Sequence, residues 1–295
     1  TGKASAVAVL PILPLGSYDN VAPNAWTATT VSNFSATGDA DGDLTGDTDV
    51  FAFRYNDNNH PIDLNGHTLN VISGGIISNS NGGFNIIDSV TGGRMTVGGN
   101  DSAGGAILFS GSNSNRDMSI SADITDNPGP DGTFGTADDG PVAVVNGTGP
   151  AGGSSDVALS GNNTYTGGTY MNGDNAGIYA NSSAAFGTGD VYFNGQNVSL
   201  GGNSTIPNDL YVNADTRIGV GLNLNGDVYL ANDSTLSLIG QGSCAWNSTI
   251  SGDGGLFISK RNGYFDIGGM SANTFTGDTL VESERDNDYM GPGLR

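Results

Sequence analysis

A chain of 295 residues with 30 acidic and nine basic side chains carries a net charge of −21, which sets it against phosphate backbones and anionic bilayers and makes nucleic acid an unexpected partner. Its 49 glycines and its 13% of charged residues supply turn formers in place of helix formers, so long helices are not expected. No apolar stretch is long enough to span a bilayer as a helix, so membrane insertion is not expected either.

In chain order, the first segment is the most apolar. Within residues 1–20, the run Val7-Ala-Val-Leu-Pro-Ile-Leu-Pro-Leu15 carries two prolines that keep it from being a helix or a central strand. Its apolar side chains Val7, Val9, Leu10, Ile12, Leu13 and Leu15 need cover. Folding back as a cap and pairing with the edge of a second copy of the chain both provide it, and the second route leads to a head-to-tail homopolymer.

Residues 21–283 read as one β body with acidic insertions near 38–50 and 123–141. The first insertion contains Asp41, Asp43 and Asp47, with oxygen-bearing residues at positions 1, 3, 5 and 7 of an EF-type loop and Gly46 at position 6. Position 12 is Ala52, so the loop is at most partial, and calcium or a plain solvated loop both fit. His60 and His67 are the only histidines and supply two of the three or four ligands that zinc takes, which favours turn or surface roles. Asn65 and Gly66 mark a turn between two strands. Strand-like runs follow at Thr68-Leu-Asn-Val-Ile72 and Ala106-Ile-Leu-Phe109, each short and bounded by Gly or Ser. In the second insertion Asp131, Asp138 and Asp139 lie among glycines that let a backbone wrap round a cation, or that simply make a flexible insertion.

The most regular stretch comes next. Asp190-Val-Tyr-Phe-Asn194, Asp209-Leu-Tyr-Val-Asn213 and Asp227-Val-Tyr-Leu-Ala-Asn232 repeat one pattern, an apolar pair flanking an outward tyrosine. A second apolar pair follows each: Val198 and Leu200, Ile218 and Val220, Leu236 and Leu238. Two strands and two turns per repeat stack most simply as a parallel β-solenoid, and about 20 residues per coil gives about a dozen coils over roughly 60 Å. Tyr192, Tyr211 and Tyr229 then form an outer ladder, which either stabilises the sheet by mutual stacking or offers a platform for sugar rings. Cys244 is the single cysteine, so no internal disulfide forms; it reads as a small buried apolar residue.

The stretch Ala158-Leu-Ser-Gly-Asn-Asn-Thr-Tyr-Thr-Gly-Gly-Thr-Tyr-Met-Asn-Gly173 resembles the autotransporter-associated β-strand repeat of bacterial surface proteins, with its LSGxNTYTGGT core. A weaker copy, Ser271-Ala-Asn-Thr-Phe-Thr-Gly-Asp-Thr-Leu-Val281, follows Ile250-Ser-Gly-Asp-Gly-Gly-Leu-Phe-Ile-Ser259, which is similar to the segment that leads into the signature. The resemblance implies a right-handed parallel β-helix outside the cell, acting as a stalk, adhesin or coat. The membrane β-barrel usual in that family is not expected here, because residues 284–295 form a polar tail.

The expected location is secreted, extracellular or cell-surface. The start at Thr1 fits a processed exported chain and fits a fragment equally. The expected function is structural and non-enzymatic. The alternatives are a carbohydrate-active β-helix enzyme and a calcium-dependent module that binds glycans or a host or neighbour cell surface. Against an enzyme, Arg54, Arg94, Arg116 and Arg217 are scattered and none accompanies a pair of acids at matching coil positions.

Overall fold

The computed structural model describes residues 21–34, 42–56, 60–78, 83–99, 102–111, 116–147, 155–219, 221–241, 244–262, 264–266, 273–283 and 293–294. The N-terminal arm, with Val7, Val9, Leu10, Ile12, Leu13 and Leu15, lies outside them, as do Asp41, Val220 and the side chain of Cys244.

Alternating apolar and polar residues make the strands, and register makes the body. Two parallel sheets of twelve and ten strands run its length. The first includes Thr169–Met171, Val191–Phe193, Leu210–Val212 and Val228–Leu230, and the second includes Gly177–Ala180, Val198–Gly202, Thr216–Gly219 and Thr235–Gln241. Tyr192 pairs in register with Tyr211, and Tyr211 with Tyr229, so each coil sits on its predecessor. The only helical element among the described residues is the 3-10 turn Pro23–Ala25. The all-β parallel β-helix, a β-solenoid, is thus the observed fold.

Two details differ from the sequence expectation. Each later coil has a third short side: Thr205–Ile206 pairs with Asn223–Leu224, and Leu224 bridges to Trp246. These pieces are too short to show a strand period, although Ile206, Leu224 and Trp246 are all buried. Among the described residues the stack is also shorter than a dozen coils. Ten strands follow one another along the main path of each sheet, about 43 Å at the usual spacing. Early coils are long, since Gly75 pairs with Leu108 and Leu108 with Val145, and they consume chain without adding height.

Like residues stack on like residues inside. Val157, Ile178, Leu200, Ile218, Leu238 and Ile258 lie in successive strands of the second sheet, all buried. Each contributes about 1.5–3 kcal/mol of burial, without any disulfide. At the N-terminal end Trp26 stacks on Phe53 at 4.9 Å and meets Phe34 edge-on. Gly74, at φ +72°, bends Thr68–Ser78 where a Cβ would strike the Ala106 carbonyl. The Asn65-Gly66 turn is present, with φ of 50° and 81°, and joins the second sheet to the first.

Candidate functional site

Acidic side chains define the corners. Where a turn interrupts the ladder, backbone N–H groups lose their strand partners, and carboxylates from a neighbouring coil accept them. Thr68 N donates to Asp47 Oδ1, Gln196 N to Asp174, Asp227 N to Asp209, Thr235 N to Asp215 and Thr249 N to Asp227, all at 2.8–3.0 Å. Asp126 Oδ1 accepts from both Val142 and Thr166. Asp63 does the same inside the body. Burial pushes its carboxyl up, but bonds from Ser89 and Asn65 prevail and hold it below the usual carboxylate range. From sequence the acidic insertions read as calcium loops or plain solvated loops, which misses this use; its signal is Asp or Asn recurring at coil-length intervals just outside the strands.

The two insertions are therefore not alike. Asp43 makes a parallel bridge to Asp63, and Asp47 bonds Thr68, with His67 Nδ1 at 3.8 Å. The second insertion is closed by an antiparallel bridge between Asn127 and Gly140 and held to the body by Arg94, whose guanidinium lies 4.4 Å from the Phe134 ring centre. Inside it, Thr133 N donates to Asp131, Gly135 N to Asp139, and the Thr136 hydroxyl lies within hydrogen-bond reach of Asp138 and Asp139. The bond from Thr136 holds the Asp138 carboxyl below its ordinary range. No group of three or more His, Cys, Asp or Glu side chains converges for a metal among the described residues; neither histidine has such company. His60 offers its backbone carbonyl to the Tyr55 hydroxyl.

The family-like signature is an interlocking corner. Asn163, buried, accepts from Ile124 N at 2.8 Å and donates to Ala185 O at 2.7 Å, so one amide ties three coils together. Tyr165 is fully buried and bonds Thr169 Oγ1 at 2.6 Å; burial pushes its phenol far above the usual range. The weaker copy keeps the design. Asn273 Oδ1 accepts from Ile250 N, Thr274 N donates to Ile250 O as Thr164 N does to Ile124 O, and Phe275 packs on the core where Tyr165 sits in the first.

The tyrosine ladder has four members, not three. Tyr170 stacks on Tyr192 at 4.8 Å and 6°, and Tyr192 on Tyr211 at 4.9 Å and 17°, while Tyr229 tilts away at 6.0 Å and 45°. Tyr170 escaped notice because Gly168 stands where the later repeats have aspartate. Rings stacked this way cover one another's faces and present edges, so mutual stabilisation accounts for Tyr170, Tyr192 and Tyr211 without a ligand. Tyr229, 45% exposed, ends the series. Partial burial, then the Asp190 carboxylate 3.2 Å from its hydroxyl, push Tyr192 up to about 12. An amide ladder flanks it: Asn194 donates to Asn172 Oδ1, and Asn213 to Asn194 Oδ1.

No family model, no curated protein and no solved structure matches the chain.

Proposed function

We propose that the chain is a non-enzymatic structural solenoid of the cell exterior, an adhesin, coat or filament subunit whose working property is its ordered length. The observation that carries this reading is where the polar groups go: carboxylates, amides and phenols along the corners and the first sheet bond or stack on the neighbouring coil. Side chains committed to their neighbours build stiffness and repeat, while catalysis needs them converging on a substrate. The resemblance of Ala158–Gly173 to surface-protein repeats points the same way. Self-association belongs to this reading. The last strand along the second sheet, Thr279–Ser283, presents Leu280 and Val281 at 54% and 46% exposure, an apolar edge complementary to the proline-rich arm Val7–Leu15.

Electron microscopy of the whole chain at high concentration, beside an assay for reducing and unsaturated ends released from acidic polysaccharides, tests the proposal. Rods or fibres and no product support it. Turnover of a polysaccharide overturns the non-enzymatic reading.

A further inference from the structure

The outer face of the second sheet carries its own column of side chains. Register places Ser199, Arg217, Ser237, Phe257 and Leu280 on successive coils. Ser237 is the short member between two long ones. Arg217 and Phe257 stand two coils apart, about 9.6 Å, with only a hydroxymethyl group between them. The other sheet shows what one coil step accommodates: tyrosine rings at 4.8 and 4.9 Å. A ring inserted at the level of Ser237 meets Phe257 on one side and Arg217 on the other at that same spacing.

The gap belongs to an open depression of about 360 Å³ lined by Asp215, Arg217, Thr235, Ser237, Phe257 and Asp278 among others, at the lower end of the sizes that hold small ligands, about 300–1,000 Å³. Arg217 is exposed and forms no ion pair among the described residues. Asp215 spends one oxygen on Thr235 N and keeps the other. The site therefore offers donors from Arg217, Thr235 and Ser237, acceptors from two carboxylates, and one apolar ring, Phe257.

We propose that this slot binds one pyranose ring of a neutral saccharide, seated as the missing step of the ladder. The apolar C–H face of the sugar stacks on Phe257, and its hydroxyls meet both donors and acceptors round the rim. Two carboxylates oppose a uronate, and Arg217 opposes a cation. This goes beyond the scaffold reading and stands or falls separately from it, since a filament with no sugar site and a sugar-binding monomer are both coherent outcomes.

The test is an NMR titration of the whole chain with three neutral probes, cellobiose, maltose and lactose, and one anionic probe, digalacturonate. The expected result is saturable binding of at least one neutral disaccharide, about tenfold weaker in Phe257→Ala and abolished in Ser237→Phe, which fills the slot from an outward position. Arg217→Ala, at an exposed side chain, is also expected to weaken binding and carries the test where Phe257→Ala does not fold. Absence of saturable binding to every neutral probe, undiminished binding by Ser237→Phe, or preference for digalacturonate overturns the proposal.

Discussion

Asn163 ties coils together without a charge. Its amide accepts from one coil and donates to the next while buried, so Asn163→Ala strands two polar backbone groups, at about 1–3 kcal/mol each. Denaturant unfolding is expected to show a loss of roughly 2–6 kcal/mol, larger than for the matching exposed Asn273. The phenols predict an alkaline limit. Tyr192 and Tyr165 hold their protons more tightly folded than unfolded. Their contribution is complete below the ordinary value of 10.0 and is lost for Tyr192 as pH climbs toward about 12. Unfolding curves from about pH 9 to about pH 12 are expected to show that fall, with part of it absent in Tyr192→Phe. Sequence alone located Tyr192, Tyr211 and Tyr229 as a ladder and placed Asn163 and Tyr165 within the family-like stretch. The partners of Asn163 lie 39 and 22 residues away, and the stacking neighbours along the ladder lie one coil away. Both follow only from register, which composition does not reveal, whereas Tyr165 bonds Thr169 and Tyr192 bonds Asp190 close by in sequence.

Strands were legible wherever an apolar pair flanked an outward residue, as at Val191–Phe193 and Leu210–Val212. The third side of the coil was not, because two residues such as Thr205–Ile206 carry no period. The insertion near 123–141 was visible as a glycine-rich acidic stretch between strands. That it docks, through Phe134 on Arg94, depends on folding that brings distant segments together. The calcium reading of the two loops has a direct check. If Asp41, Asp43 and Asp47, or Asp131, Asp138 and Asp139, hold calcium in the folded state only, chelator lowers the melting temperature, and Asp139→Ala removes the second loop's share. An unchanged temperature at saturating chelator leaves both loops held by their own hydrogen bonds. Asp215→Ala makes a contrasting case. It removes the acceptor of Thr235 N and is expected to lower stability by about 0.5–1.5 kcal/mol with or without calcium, as followed by thermal melting.

At the scale of the molecule, stability and assembly share one logic: every coil needs a neighbour, and the end coils need something else. Deleting residues 1–16 is expected to abolish fibre growth in light scattering and microscopy. Fibres that persist unchanged make that arm a cap and place the contact elsewhere. The parallel stack was legible in the sequence from the 19- and 18-residue steps between tyrosines, but its height was not, since the long early coils hide how many residues each level consumes. The scaffold, its assembly and the saccharide slot all depend on coil sitting on coil in parallel register, and disulfide trapping tests that most directly. Asn172, Asn194 and Asn213 form one exposed column, where adjacent Cα atoms stand about 4.8 Å apart, within the reach of a disulfide. Cysteine pairs at 172 and 194, and at 194 and 213, are expected to close within one chain on mild oxidation. The pair at 172 and 213, about 9.6 Å apart, is expected to stay open. Closure of the 172 and 213 pair, or failure of both adjacent pairs, contradicts the stacked solenoid.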